Sequence, residues 1–109
     1  MGDFGSDEQV APSVLAFEVF NPEYSVGVAC GIAGDVVGIH LGPEILEADD
    51  AWLAAEILRV ARLAHVKSQV GRRAMMLERG MLPHVADARG LPTEIEFRYL
   101  EAAEFGETR

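Results

Sequence analysis

The residues of this 109-residue chain that could do chemistry are few and far apart. They are His40, His65 and His84, the lone Cys30, and the carboxylates Glu94, Glu96, Glu101 and Glu104. A catalytic centre needs a nucleophile, a base and a charge-stabilising group that converge. A zinc site needs ligands at short, characteristic spacings. The histidines instead fall on an expected strand, an expected helix and a connection. The four carboxylates read as a solvated face, whereas an acid/base pair needs one carboxyl tuned by its surroundings. Gly31-Ile-Ala-Gly34 is too sparse for a phosphate loop, and no helix follows it at once. Cys30 sits in an alternating apolar run, which suits a buried structural thiol, and a single cysteine excludes an internal disulfide. The expectation is a non-enzyme with no catalytic residues, no cofactor and no metal.

Composition narrows the choice of partners. Half of the residues are hydrophobic, enough for a folded core, and the formal net charge is −9. Nucleic acid and anionic lipid both call for a basic face, so neither is the expected partner. The only cationic concentration is Arg59, Arg62, Lys67, Arg72, Arg73 and Arg79, which reads as the solvated side of one helix. Cys30 alone fits a reducing cytosol. No hydrophobic leader and no bilayer-length apolar run occurs, so a cytoplasmic location is expected, with export by another kind of signal left open.

The elements that would position these residues follow from periodicity. Val14–Phe20, Tyr24–Gly31 and Val36–Leu41 alternate as strands, separated by turns at Asn21-Pro22-Glu23 and Ala33-Gly34-Asp35. Val26, Val28 and Cys30 share one face of the middle strand, and the opposite face is nearly bare of side chains. From Asp50 to about Met81 the pattern predicts one long helix, with Asp49 or Asp50 as its N-cap and Pro83 as its stop. Thr93 and Glu96 match a capping box, which predicts a C-terminal helix to about Phe105. The alternation of Ile95, Phe97 and Tyr99 offers a strand as the competing reading. The predicted class is α+β: a three-stranded antiparallel β-meander, a long α-helix and a short C-terminal helix. Residues 1–12 read as a flexible acidic tail, 13–82 as the β-β-β-α domain, and 83–109 as a connection plus the last helix.

The long helix carries more apolar surface than one small sheet covers. Leu53, Ile57, Val60 and Ala64 form one stripe, and Trp52 and Leu63 add to it, whereas Glu56, Arg59, Arg62, Gln69 and Arg73 form a narrow polar line. Trp52, Leu53, Ile57, Val60, Leu63 and Ala64 are therefore the candidate dimer or partner interface, and a homodimer is expected. Met75, Met76 and Met81 suit either an adaptable docking surface or ordinary packing.

Gly34-Asp-Val-Val-Gly-Ile-His-Leu-Gly-Pro-Glu-Ile-Leu46 before an acidic helix start resembles the YbaB/EbfC family of small dimeric nucleoid-associated proteins. The order of other motifs is more similar to the EspD/EspH-like accessory proteins of mycobacterial type VII (ESX) secretion. Those motifs are Phe17-Glu-Val-Phe-Asn-Pro22, Ser25-Val-Gly-Val28, Leu53-Ala-Ala-Glu-Ile-Leu58 and Ala61-Arg-Leu-Ala-His-Val-Lys67, with Gly90-Leu-Pro-Thr93 before the tail. The resemblance spans about residues 15–74 and implies a cytosolic, chaperone-like helper that binds secretion substrates or secretion-system components. It implies no catalytic residue. Two departures stand out: the helix that precedes the first YbaB/EbfC strand has no counterpart here, and the acidic N-terminal region is short. The alternative reading is a YbaB/EbfC-type DNA-binding protein, supported by the arginines of the long helix and opposed by the net charge.

Overall fold

A computed structural model describes residues 15–106, so the expected acidic tail lies outside the described residues. Strands β1 (Ala16–Phe20), β2 (Val26–Gly31) and β3 (Val36–Leu41) form one antiparallel sheet in the order β1-β2-β3. A 3-10 turn (Pro43–Glu47) leads into helix α1 (Asp50–Glu78), followed by α2 (Pro83–Ala88) and α3 (Glu94–Phe105). The expected α+β class and the order of its elements are those of the protein.

Pairing places Phe17 opposite Cys30 and Val19 opposite Val28, so these four side chains share one face. With Val26 they pack under α1, where Val60, Leu63 and Ala64 complete the core. Burial at this face is the main stabilising term, at about 25 cal/mol for each Å² of apolar surface removed from water. The middle strand is buried along its whole length. The outer strands differ from each other. Lys67 of α1 reaches β1, where its Nζ donates to the Glu18 carbonyl at 2.9 Å. Every residue of β3 is exposed.

Helix α1 starts as expected, with Asp49 accepting from the Trp52 N–H at 3.3 Å. It ends three residues earlier than the pattern suggested, because Arg79-Gly80-Met81 closes it. The Gly80 and Met81 N–H groups return to the carbonyls of Leu77 and Met76, a Schellman cap. The same device recurs at Arg89-Gly90-Leu91, bonded to Asp87 and Ala86. The connection expected after Met81 contains helix α2, with Pro83 in its first turn. Proline stops the preceding helix and also has the φ that a new one needs. Arg73 ties this region to α1, donating from Nη1 to Asp87 Oδ1 at 2.8 Å and to the Leu91 carbonyl at 2.7 Å.

Helix α3 settles the helix-or-strand alternative. Both halves of the Thr93–Glu96 capping box form, at 2.8 and 3.1 Å. Phe97 joins the core beneath α1, so the C-terminal segment shares the core of the rest.

Gly71, inside α1, touches the Phe17 ring so closely that an added Cβ would overlap it. Alanine there adds about 1 kcal/mol of helix propensity, against about 1–3 kcal/mol for overpacking. Gly71→Ala is therefore expected to lower stability by about 1 kcal/mol, read as a lower Tm in a thermal melt. A rise in Tm would mean that the ring moves aside freely.

Candidate functional site

No set of catalytic groups converges among the described residues, nor do three His, Cys, Asp or Glu side chains that could hold a metal. His65 Nδ1 lies 3.0 Å from the Gly34 carbonyl and holds the β2–β3 turn. His40 stacks edge-on against Phe20, with ring centroids 5.6 Å apart. His84 is exposed on α2. Cys30 is buried; burial first, and then the Asp35 carboxylate, push its thiol above the ordinary range. A thiol held protonated in this way is a poor nucleophile.

The arrangement with the most distinctive surface chemistry is β3 and its surroundings. Val36, Val37, Ile39 and Leu41 are between 43% and 54% exposed. Ile39 and Leu41 pair with Val28 and Val26, which places them on the helix side of the sheet but beyond the rim of α1. A bulge at Ala29/Cys30 sets Val36 opposite Cys30. The strand carries no charged residue and no proline. Natural edge strands commonly use those residues, or a covering element, to prevent further pairing. Leu46 and Trp52 are also exposed, and Trp52 lines a cleft with Ile45, Ala48 and Asp49.

Of the six residues expected to form the interface, three are unavailable. Val60, Leu63 and Ala64 are buried in the chain's own core, so a second subunit cannot cover them. Leu53 and Ile57 are half-buried and pack on the edge of that core. Trp52 alone is well exposed, at 42%. The stripe closes against β2, and exposed apolar surface remains at Trp52 and Leu58 of α1 and along β3.

Sequence reasoning also missed a buried polar network. Asn21, 1% exposed, accepts at Oδ1 from the N–H groups of Ser25 and Val26. Its Nδ2 donates to Ser25 Oγ at 3.0 Å and to Glu56 Oε2 at 2.8 Å. Arg59 Nη2 donates to the same carboxylate at 2.9 Å. The Arg59 guanidinium also lies 4.7 Å above the Phe105 ring and donates to the Glu104 carbonyl. Burial alone would push the Glu56 carboxyl up. The hydrogen bonds from Arg59 and Asn21 and the Arg59 charge outweigh it and hold the group below its ordinary value. Glu56 looked like a member of the polar line, yet it stands three residues after Leu53 and four before Val60, on the stripe itself. That spacing was the signal available.

Beside this network Phe20, Tyr24 and Phe105 line a cleft of about 490 Å³ with Arg98 and Glu101. Tyr24 has φ of 61°, a left-handed conformation that costs a non-glycine residue about 1–2 kcal/mol. Its N–H is fixed by the Asn21 carbonyl at 2.9 Å.

The cationic run is partly engaged within the chain. Arg59, Lys67 and Arg73 each donate to groups of β1, α1 or the C-terminal segment. No helix among the described residues is long and apolar enough to cross a membrane. Compared with family models, curated proteins and solved structures, the chain gives no match in any of the three.

Proposed function

We propose that this chain is a non-enzymatic, dimeric accessory protein, a chaperone-like binding module of type VII (ESX) secretion that acts in the cytoplasm. The observation that carries the binding reading is β3, an outer strand that pairs with no further strand among the described residues and whose Val36, Val37, Ile39 and Leu41 are exposed. A second copy pairing antiparallel along β3 would satisfy the outward backbone groups and cover Val37, Ile39 and Leu41. Nothing in β3 opposes self-pairing electrostatically, because the strand is uncharged. The link to secretion rests on the order of the motifs Phe17–Pro22, Ser25–Val28 and Leu53–Leu58. DNA binding is the weaker reading, since three of the six helix cations already serve the fold and the net charge is −9.

Ile39 is exposed, so lysine there spares the core and places a charge on the proposed seam. Light scattering at micromolar concentration should give twice the chain mass for the wild type and the single-chain mass for Ile39→Lys. A wild type of single-chain mass sinks the dimer. Co-purification from the native host should recover a secretion substrate or component, and recovery of neither counts against the assignment.

A further inference from the structure

The formal net charge is −9, yet two arginines share a cleft with no carboxylate for a partner. Arg59 pairs with Glu56, Arg73 with Asp87 and Arg98 with Glu94. Arg72 and Arg89 meet no Asp or Glu oxygen at ion-pair distance among the described residues. With Met76 and Leu91 they line a cleft of about 330 Å³. Like charges gathered in this way repel each other until an anion comes between them.

The fold assembles the cleft from parts distant in sequence. Arg72 and Met76 stand one turn apart on α1 and share a face. Gly90, with φ of 75°, reverses the chain after α2, and the Leu91 N–H returns to the Ala86 carbonyl at 3.1 Å. Leu91 is thereby turned inward, only 7% exposed. Arg73 ties the two walls together by donating to Asp87 and to the Leu91 carbonyl. Asp87, the carboxylate nearest to Arg89 in sequence, is occupied by that tie. A cleft ordered before its ligand arrives loses little entropy on binding.

We propose that this cleft binds a small organic acid, a carboxylate on an apolar body. The guanidinium groups of Arg72 and Arg89 hold the carboxylate oxygens, and the body lies on Met76 and Leu91. The volume is at the lower end of small-molecule sites, which begin at about 300 Å³. Helix α2 ends at this cleft with its carbonyls, which suits a singly charged head better than a phosphate. None of the four residues belongs to β3, so the inference goes beyond the proposed function and does not depend on it.

The test is calorimetric titration of the full chain with octanoate, octylammonium and acetate. An acidic protein attracts the ammonium over its whole surface, so a preference for octanoate reads the cleft alone. Octanoate should saturate at one per chain, with octylammonium and acetate at least about tenfold weaker. The double variant Arg72→Gln, Arg89→Gln should keep the wild-type circular dichroism spectrum and bind octanoate at least about tenfold more weakly. Arg62→Gln, Arg79→Gln makes the same change of charge outside the cleft and should leave binding within about twofold. Octanoate that does not saturate overturns the proposal, and so does octylammonium that binds equally well. An equal loss in both double variants also overturns it, because net charge would then be the cause. Binding that appears only in the triple variant Asp3→Asn, Asp7→Asn, Glu8→Gln would make the chain's own first residues the occupant, and overturns it too. Should the Arg72, Arg89 double variant unfold, Arg89→Gln alone, at an exposed position, is read by the same criterion.

Discussion

Asn21→Leu should lower the free energy of unfolding by about 4 kcal/mol, the largest effect we expect from a single substitution outside the apolar core. Leucine is close in size, so packing changes little, but four hydrogen bonds vanish. The N–H groups of Ser25 and Val26 then lie buried without acceptors, at about 1–3 kcal/mol each, and Glu56 loses a donor. Small domains have about 5–15 kcal/mol in all, so the variant is close to the limit of folding. Urea denaturation monitored by Trp52 fluorescence reads the difference. A loss below about 1 kcal/mol would mean that water replaces the asparagine.

A companion, Asn21→Asp, gives the same site a pH signature. It keeps the acceptor oxygen but sets a second carboxylate within 2.8 Å of Glu56, and like charges at that distance raise one pKa. The damage should be severe at neutral pH and partly relieved on acidification, when one carboxyl takes up a proton. The wild type moves the other way. Its Glu56 carboxyl is held below its ordinary value, so its contribution is complete above that value and fades as pH falls through the lowered one. Opposite pH slopes for the two proteins are the expected result.

Gly34→Ala is the second large effect, at about 2–3 kcal/mol. The residue has φ of 95°, where a side chain costs about 1–2 kcal/mol. The new Cβ would also stand 2.7 Å from His65 Cε1. The ring must swing away and give up its contact with the Gly34 carbonyl. The two costs separate in a double-mutant cycle. His65→Ala in the Gly34→Ala background removes the clash and leaves the backbone cost, so Gly34→Ala should be less damaging there. Equal damage in both backgrounds would assign the whole effect to the turn.

These sites also mark how far the sequence could be read. The strands, both hairpin turns, the Asp49 cap and the Thr93–Glu96 box were legible because each depends on residues close in sequence. The burial of Val26, Val28 and Cys30 under the helix followed from simple alternation. What stayed hidden depends on tertiary distance. Glu56 looks like any glutamate on a charged helix until Asn21, thirty-five positions away, arrives as its donor. Val60, Leu63 and Ala64 looked like surplus because periodicity counts apolar surface without saying how widely a sheet spreads beneath it. The surplus was real, but it lies at Trp52 and Leu58 and along β3 rather than on the stripe that closes over the sheet. Pro83 was read only as a stop, though its backbone angle serves a beginning equally well.

The two rims of the sheet have different fates. Along β1 the ammonium of Lys67 already occupies a backbone oxygen, so an incoming chain would have to dislodge it. Along β3 no strand and no charged side chain of the strand itself stands in the way among the described residues. Addition would thus be polarised: in the proposed pair joined through β3, lysine-guarded rims would face outward, and assembly would halt there instead of running on into a fibre.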